Sequence, residues 1–518
     1  MVLHPHGPWL FHTLPFKNVI VNGIVLAEDG TKMSKSLRNY HDPNEILDQY
    51  GSDALRLYLI NSPVVRAEPM RFKESGVKDI VARVLLPLWN SYRFFQEQTL
   101  LYKKSEGQDF ALQIAFEDRG VENVMDRWIL ADCQSLLRFM EEEMRGYRLY
   151  TVVPRLLQVI DNLTNWYIRF NRKRLKGVAG LGMNDTTAAL NTLLQVLFTM
   201  VRALAPFIPF LTEHIYQLLR PHLVSATASC ADARSVHFLP FPTVQEALFD
   251  AVIERQVSVM QKVIQLGRVA RERRGLSLKT PLLSLVVIAD SQPLADINSL
   301  KSYVQEELNV RDVVLTDDEE RFGIRLEARV DWPSLGKKLK RDVQVVRKML
   351  PTLSQAQLRE YQRTKAMKLD GISLVEGDLT LVRVIGKGQG RGADGSDDSQ
   401  SQWEPAFADD MIVLLDVAPH PELAEEGLVR ELVSRFQRLR KKAGLVPTDE
   451  VCMRQRVISD PDGVELGSLV AAHQDMFVAA LRGQVEEAQE HGVAERHIIA
   501  EEEQVIGTVV VVLQLARV

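Results

Sequence analysis

The stretch from residue 77 to residue 223 carries apolar side chains at α-helical spacing almost without interruption. The pattern breaks around residues 103–123, 177–184 and 221–236. Apolar residues that recur every three or four positions form a stripe along a helix, and that stripe is stable when it packs against other helices. Residues 76–244 are therefore predicted to form a helical bundle, the largest single region of the fold.

The residues before the bundle predict strands, a loop and then helices. The apolar runs 19–21 and 24–26 are separated by Asn-Gly, a dipeptide typical of tight turns, and are predicted to be strands. Asp42 is a candidate helix N-cap, because Pro and Glu follow at positions that suit the first helical turn. That helix should end at Gly51, and a second should follow it at once.

After the bundle, helices alternate with short strands, which is typical of small α/β units. Residues 245–386 are predicted to form the first such region, and residues 403–518 a C-terminal α/β domain. Residues 387–402 are rich in Gly, Ser and Asp, so they predict a flexible loop or linker. The expected strands are 283–289, 311–315, 379–385, 410–417 and 507–515, and a helix is expected over 421–443.

The fold class that follows is multidomain and mainly α, with α/β parts. A chain of 518 residues is longer than one hydrophobic core usually supports. Its three cysteines, Cys133, Cys230 and Cys452, form no Cys-x-x-Cys pair, so neither a structural zinc site nor a disulfide framework is indicated. No apolar run is judged long enough to span a bilayer, and no membrane contact is expected. A cytoplasmic protein is predicted.

Basic residues cluster at 169–176, 268–274, 337–341 and 435–442, although the formal net charge is −5. Net charge is a poor guide to binding in a long chain, because local patches decide it. A solvated helix face is the alternative explanation for each cluster. For residues 268–274 and 435–442 the choice between that and contact with RNA or an acidic surface stays open.

One short segment has the composition of a phosphate-binding loop. KMSKS at residues 32–36 follows Asp29, Gly30 and Thr31 directly after a predicted strand. Two ammonium groups three residues apart, two hydroxyls and a permissive glycine can fold over a triphosphate and neutralise the charge that grows during attack at its α-phosphate. A solvated lysine turn would explain a generic Lys-x-x-Lys equally well.

The whole pentapeptide resembles, without a substitution, the signature of class I aminoacyl-tRNA synthetases. The resemblance implies that residues 1–75 are the end of a class I catalytic domain and that residues 76–244 are a helical anticodon-binding domain. It implies that Lys35 is the main pyrophosphate contact and that Lys32 assists, which makes these two the catalytic candidates. The ATP-binding candidates are Gly30, Lys32, Met33, Ser34 and Lys35.

Longer segments resemble the isoleucine-specific branch of the family, in its eukaryotic cytosolic form. They are residues 16–26, 50–68, 126–128, 150–156, 163–176, 266–282 and 430–450. This resemblance implies ATP-dependent activation of isoleucine and its transfer to tRNA(Ile), with Mg²⁺ accompanying the ATP. Other synthetases of a multi-synthetase complex are further possible partners. The valine-specific branch is the nearest competitor.

The helix predicted over residues 151–176 separates apolar from polar side chains. At about 100° per residue, one side gathers Val, Leu, Ile and Tyr, and the other gathers polar and basic residues. The predicted tRNA-binding residues on that second side are Asn162, Trp166, Arg169, Arg172, Lys173 and Lys176. Cations suit phosphates and an aromatic plane suits an unpaired base. The alternative is a solvated face whose tryptophan packs into a neighbouring helix. Arg174 falls on the apolar side, where an ion pair is expected.

The 518 residues contain no HIGH motif, which supplies half of a class I catalytic site, and the sequence before Phe16 departs from the family pattern. The zinc-binding cysteine cluster that ends many bacterial isoleucine enzymes is also missing. A polypeptide of these residues is therefore expected to bind tRNA without forming adenylate. The alternative is a non-catalytic tRNA-binding or complex-docking protein derived from a synthetase.

Overall fold

A computed structural model describes residues 18–40, 42–112, 122–177, 182–227, 230–385, 402–445, 449–461, 463–488 and 498–517. The chain divides into two compact units, Met1–Arg255 and Gln256–Val518. The predicted linker at 387–402 lies, apart from residue 402, outside the described residues. Each unit has its own architecture.

The first unit is predominantly helical. Its helices are α1 (Pro43–Tyr50), α2 (Ser52–Ile60), α3 (Glu74–Ile80), α4 (Leu86–Glu106), α5 (Val124–Arg145), α6 (Leu149–Asp161), α7 (Arg172–Leu175), α8 (Met183–Leu204), α9 (Pro209–Leu219) and α10 (Val224–Thr227). π-Helical turns at Val81–Leu85 and Asn162–Ile168 join α3 to α4 and continue α6. Two short strands, β1 (Val25–Leu26) and β2 (Met70–Arg71), pair in parallel. The predicted bundle is thus observed.

The helix α8 is the centre of this bundle. It is long and apolar enough, by length and composition, to cross a bilayer, so the expectation that no apolar run reaches that length was wrong. However, 72% of its most apolar window is buried inside the protein. Leu190, Leu194, Leu197 and Val201 are fully buried. Packing against α5 and α9 therefore accounts for its apolar character.

The prediction of two strands separated by a turn at residues 19–26 was partly wrong. Only β1 is a strand, and residues 18–24 have no regular secondary structure and expose their apolar side chains. The Gly23 N–H donates to the carbonyl of Val64 at 2.7 Å. A Cβ at this position would lie 1.9 Å from the carbonyl oxygen of Glu68. Gly23 is therefore required for a close backbone approach and not for a turn.

The predicted helix starts at residues 42 and 52 are confirmed in position. Asp42 caps α1, and its carboxylate accepts from the N–H of Asn44 at 2.8 Å. Gly51 has a φ of +81° and ends α1 while leading directly into α2. A glycine meets this conformation without steric cost, because it has no Cβ.

The helix α2 fixes the loop-bearing segment to the bundle through two charged side chains. The Asp53 carboxylate accepts from the N–H of Leu211 at 2.7 Å and from the N–H of Phe210 at 3.4 Å, at the start of α9. The Arg56 guanidinium donates to the carbonyls of Pro206 and Phe207, just after α8. An anion at a helix N-terminus and a cation beside a helix C-terminus are both favourable. The loop therefore has a rigid base.

The second unit combines helices with small sheets. Its helices are α11 (Ala251–Arg273), which begins before the division, α12 (Ser291–Asn298), α13 (Lys301–Leu308), α14 (Trp332–Leu339), α15 (Val343–Met349), α16 (Gln355–Thr364), α17 (Pro421–Lys442), α18 (Leu466–Ala472) and α19 (Gln474–Leu481). Its strands are β3 (Leu282–Ala289), β4 (Val310–Thr316), β5 (Ile324–Arg329), β6 (Ala366–Leu369), β7 (Ile372–Val375), β8 (Thr380–Ile385), β9 (Trp403–Phe407), β10 (Met411–Asp416), β11 (Val451–Ser459), β12 (Val485–Glu487), β13 (Ile498–Ile506) and β14 (Val509–Arg517).

Strands from both predicted C-terminal regions share one sheet, with the order β4-β3-β10-β9. Met411–Leu415 pair antiparallel with Leu285–Ala289, so strands on either side of residues 387–402 belong together. That segment does not separate two sheets, and the predicted domain boundary is corrected there. The apolar runs of β3 and β10 can pair with each other because both are buried.

Two further groups complete the second unit. Between β4 and β9 the chain forms a small module of β5, β8, the hairpin β6–β7 and helices α14 to α16, with Leu335, Val346 and Tyr361 in its core. The last group is the sheet β12-β11-β14-β13 with α17 packed on β13 and β14. Phe436 of α17 is fully buried in the core of that group.

Candidate functional site

The loop between β1 and α1 is held in shape by Asn39. Its side-chain oxygen accepts from the N–H of Ser34 at 2.9 Å. Its amide group donates to the Thr31 hydroxyl at 2.8 Å and to the carbonyl of Lys32 at 3.1 Å. One side chain therefore links three residues of the loop, namely Thr31, Lys32 and Ser34, to its C-terminal end. This stitching keeps a polar loop ordered although it lies on the surface.

The first turn of the loop is formed by Asp29, Gly30 and Thr31. The Asp29 carboxylate accepts from the N–H and the hydroxyl of Thr31, at 2.8 and 2.7 Å, and these hydrogen bonds lower the pKa of Asp29. Gly30 has a φ of +86°, and a Cβ there would lie 2.9 Å from Nε of Arg71. Both the conformation and the close approach of Arg71 favour glycine.

The loop exposes its two cations. Lys32 and Lys35 are exposed, whereas Met33 and Ser34 are half-buried. The Ser34 and Ser36 hydroxyls are hydrogen-bonded to each other at 2.7 Å. Among the described residues neither lysine has an ion-pair partner. A loop with this geometry can offer two ammonium groups and its hydroxyls to a polyanion without first breaking an ion pair.

The helix expected over residues 151–176 is interrupted by the π-helical turn Asn162–Ile168. A π turn holds more than four residues, so it rotates the following side chains relative to an ideal α-helix. As a result, Asn162 and Trp166, expected on the exposed side, are 7% and 4% exposed. Asn162 donates to the Asp132 carboxylate at 2.9 Å, and the indole N–H of Trp166 donates to Asp161 at 3.3 Å.

The stacking role predicted for Trp166 is therefore corrected. Its ring packs edge-on against Phe170, with centroids 5.7 Å apart, and is not available as a platform for an unpaired base. The alternative that the sequence left open, a tryptophan tucked into the bundle, describes the structure. Asn162 is likewise a buried structural side chain. Neither residue is retained as an RNA contact.

The four basic members of the predicted surface are exposed and stay together. They are Arg169, Arg172, Lys173 and Lys176, which we call the basic stripe. The Arg172 guanidinium lies 5.8 Å from the centre of the Phe94 ring. Partial burial and the nearby charge of Arg172 lower the pKa of Lys176. The structure thus brings the cations of the predicted surface to one face without its aromatic member.

A buried ion network holds the stripe in place. Arg174, predicted to make an ion pair on the apolar side, bridges Asp126 at 3.0 Å and Asp185 at 2.6 Å. It also donates to the side-chain oxygen of Asn171 at 2.6 Å. Burial alone would lower the pKa of Arg174, but its hydrogen bonds to the two carboxylates raise it. The Arg174 side chain on α7 therefore connects α7 to α5 and α8 through buried ion pairs.

The basic run at 268–274 has a different fate, because the second unit uses it internally. Arg268 pairs with Glu307, and Arg274 donates to Glu404 at 2.6 Å. Arg273 donates to the carbonyl of Pro405 at 2.9 Å. Arg271 is 2% exposed and donates to the carbonyls of Ser277, Thr280, Leu308 and Asn309. All four arginines of this run therefore have partners within the second unit.

The run at 435–442 divides between both uses. Arg440 is buried and donates to the carbonyls of Leu481 and Asp449, at 3.0 and 2.7 Å. A cleft of about 300 Å³ is lined by three other cations of the run and two polar residues of β13, namely Arg435, Arg438, Lys442, Glu502 and Gln504. Lys442 pairs with Glu502 at 3.1 Å. The cleft is partly neutralised, and we assign it no ligand.

Sequence reasoning missed several residues that build the site. The stitching role of Asn39 could have been suspected, because a lone asparagine closely follows a glycine-containing loop. No local signal marks Arg71, which approaches Gly30 from a distant strand, or Asp53 and Arg56, whose partners lie about 150 residues away. The bundle that joins them could be predicted, but not these contacts.

Comparison with known families matches two parts of the chain. The family described as tRNA synthetases class I (I, L, M and V) matches residues 6–71, which include the loop. The family described as the anticodon-binding domain of tRNA ligase matches residues 126–287, which include the basic stripe. The two candidate features thus fall in separate families of the same kind of enzyme.

Individual proteins match over a longer range. The cytoplasmic isoleucine–tRNA ligase of Schizosaccharomyces pombe is 49% identical over 99% of this chain and 46% of the relative. That of Saccharomyces cerevisiae is 49% identical over 92% of this chain and 44% of the relative. That of Mus musculus is 46% identical over 91% and 36%. The chain spans less than half the length of these relatives.

Proposed function

We propose that this chain belongs to the family of cytoplasmic-type isoleucine–tRNA ligases and that it serves their reaction by supplying the KMSKS loop and a tRNA-binding surface. The observation that carries the proposal is the loop itself. It has the full KMSKS sequence, a backbone stitched by Asn39, and two exposed lysines. A cytoplasmic location follows the names of the relatives.

In the proposed reaction, the isoleucine carboxylate attacks the α-phosphate of ATP, and pyrophosphate leaves. The product, isoleucyl-adenylate, then passes its acyl group to a ribose hydroxyl at the 3′ end of tRNA(Ile). The Lys35 ammonium neutralises charge that develops on the leaving pyrophosphate, and Lys32 assists. One positioned donor of this kind typically contributes about 10²–10³ in rate. Gly30, Met33 and Ser34 shape the loop around the nucleotide.

Magnesium would enter this site with the triphosphate. The described residues contain no group of three or more His, Cys, Asp or Glu side chains that could hold a metal ion by themselves. The Asp29 carboxylate of the loop already accepts hydrogen bonds from Thr31. The proposed role of Mg²⁺ is therefore as part of a metal–nucleotide complex, because Mg²⁺ commonly binds through substrate phosphates.

The proposed tRNA-binding surface is the basic stripe. Exposed guanidinium and ammonium groups on one helix face suit RNA phosphates, and the Arg174 network fixes the backbone that carries them. Phosphate contacts position an RNA without reading its sequence. Anticodon selection therefore needs further residues, which the stripe does not supply.

The decisive experiment measures two activities of the 518-residue polypeptide: binding of a tRNA(Ile) transcript and isoleucine-dependent exchange of pyrophosphate into ATP. We expect binding without exchange, because the sequence contains no HIGH motif. A matched tRNA(Val) transcript serves as the specificity control. Failure to bind any tRNA would contradict the proposed surface.

If exchange is observed, the polypeptide is active by itself and our expectation for it is wrong. In that case Lys35→Ala should lower exchange by about 10²–10³, while Lys73→Ala, which removes another exposed lysine of the same unit, should not. Binding without exchange would also suit a non-catalytic docking protein. Restored exchange on adding the remaining portion of a relative would separate the two.

A further inference from the structure

The module formed by residues 324–385 is strongly basic, unlike the chain as a whole. It carries 13 Lys and Arg against seven Asp and Glu, although the full chain has a net charge of −5. The module is a compact structure with its own core of Leu335, Val346, Tyr361, Leu369, Leu374 and Leu379. A small folded region that concentrates positive charge in an acidic chain is a candidate surface for binding an anionic partner.

Only some of this charge is used in ion pairs. Among the described residues, the pairs of the module are Lys338–Asp378, Arg363–Glu360, Arg359–Glu320 and Arg383–Glu319. The Lys338 ammonium lies 2.6 Å from the mostly buried carboxylate of Asp378. The remaining cations are not neutralised by the fold, as far as the structure describes their partners.

Four of the remaining cations lie on the consecutive helices α14 and α15 and in the turn between them. They are Lys337, Lys340, Arg347 and Lys348, which we call the hairpin surface, and all four are exposed. Lys337 follows the buried Leu335 by two residues, and Lys348 follows the buried Val346 by two. Two residues correspond to about 200° around a helix, so both side chains point away from the core.

The corner between the two helices strengthens this arrangement. Lys340 has a φ of +50°, a conformation that an L-residue adopts at some cost, and it ends α14 abruptly. Only the short turn Lys340–Asp342 separates α14 from α15. The cations of both helices are consequently held close in the chain and face solvent from adjoining surfaces.

An aromatic ring accompanies the cations. The Arg347 guanidinium lies 5.2 Å from the centre of the Trp332 ring, at the start of α14, and Trp332 is half-buried. A guanidinium stacked on an indole is held in a fixed orientation while its N–H donors stay available for phosphate oxygens. On α14 and α15 no large apolar side chain is exposed among the residues described.

We propose that the hairpin surface is a second RNA-binding site, which binds the phosphate backbone of tRNA. The absence of an exposed apolar centre argues against a protein partner, because protein interfaces have an apolar core inside a polar rim. RNA phosphates instead need dispersed, unneutralised cations, which this surface provides. The inference rests on the proposed tRNA-binding function and names a site separate from the basic stripe.

The test measures the salt dependence of tRNA(Ile) binding by the full chain. Each phosphate contact that is lost reduces the slope of log K against log[salt] by roughly 0.7–0.9, the range between single strands and B-form duplexes. The double variant Lys337→Gln with Lys348→Gln should therefore reduce the slope by about two. It should do so equally for a tRNA(Val) transcript, because backbone contacts do not read sequence.

The matched control is Arg359→Gln with Arg363→Gln. It removes the same charge from the same module, but from side chains already paired with Glu320 and Glu360. We expect it to change the slope by less than half as much. Lys337→Arg with Lys348→Arg should retain wild-type binding, which separates loss of charge from loss of fold.

Equal losses in the test and control variants would overturn the proposal in favour of a diffuse field. An unchanged slope in the test variant, with wild-type binding intact, would overturn it while leaving the proposed function standing. If the wild-type chain binds no tRNA at all, the proposed function itself fails. Loss of binding to phosphatidylserine-containing vesicles, with an unchanged tRNA slope, would assign the surface to lipid instead.

Discussion

The basic runs at 169–176 and 268–274 are similar in sequence and opposite in use. The first places five cations within eight residues of a helical region, and the second places four within seven. In the first, Arg169, Arg172, Lys173 and Lys176 are exposed on one face. In the second, every arginine is committed to a carboxylate or a backbone carbonyl of its own unit. A cluster of positive charge therefore indicates a binding surface only after its internal partners are known.

The difference arises from what surrounds each helix. The end of α11 meets a turn and a helix C-terminus, whose carbonyl oxygens would be unsatisfied without donors. Arg271 supplies these donors, and burial lowers its pKa to about 10. Within the first run Arg174 is the one basic residue that is buried, and it bridges Asp126 and Asp185. The predictions that follow test this contrast.

The largest effect is expected for Arg174→Met. It removes the cation between Asp126 and Asp185 and leaves Asp126, which is 1% exposed, with an uncompensated charge. Breaking a buried ion pair from one side typically costs about 3–5 kcal/mol. Urea unfolding followed by the fluorescence of the buried Trp128 and Trp166 measures it. A loss of unfolding free energy below about 1 kcal/mol would show that the network does not stabilise the bundle.

Arg271→Met should cost somewhat less, on the order of 2–4 kcal/mol, because buried carbonyls lose their donor but no charge is stranded. Far-UV circular dichroism in urea would report the unfolding of the second unit. The variant Arg273→Met, whose side chain donates to a single carbonyl at an exposed position, is the control. If both variants are equally stable, Arg271 does not organise the turn.

Trp166→Phe should lower stability by about 1 kcal/mol and leave tRNA affinity unchanged. The phenyl ring fills most of the space of the indole, and the hydrogen bond to Asp161 at 3.3 Å is lost. Filter binding of tRNA(Ile) together with urea unfolding separates the two effects. A marked loss of affinity at unchanged stability would restore the stacking role that burial contradicts.

The smallest effect on stability is expected for Arg172→Met, within about 0.5 kcal/mol, because exposed substitutions away from structural contacts change little. The apolar side chain of the introduced methionine can still cover the Phe94 ring. Thermal unfolding measured beside Arg271→Met compares the same substitution in both runs. Comparable losses from the two would erase the distinction between them.

The sequence predicted the helical bundle well, because an apolar stripe repeated over many turns has few other stable arrangements. It also predicted the KMSKS loop, whose chemistry resides in consecutive residues. It failed at Trp166, because the π-helical turn that rotates this residue inward depends on packing and not on local pattern. It also predicted the wrong role for Gly23, which allows the Glu68 backbone to approach closely and does not form a turn.

The use of each basic run was equally beyond local sequence. Arg268 finds Glu307, and Arg274 finds Glu404, across 39 and 130 residues of chain. No periodicity encodes such partners, so the sequence identified the run as basic but could not predict what its arginines contact. The boundary expected at 387–402 was wrong for the same reason, since β3 and β10 pair across it.

The most direct test of this account is the salt dependence of tRNA(Ile) binding by two charge-matched double variants. One is Arg172→Gln with Lys176→Gln in the basic stripe, and the other is Arg273→Gln with Arg274→Gln in the internal run. We predict that the first reduces the slope of log K against log[salt] by about two and that the second leaves it almost unchanged. Equal slopes for both variants, or a larger loss in the second, would contradict the assignment of the stripe as the RNA-binding surface.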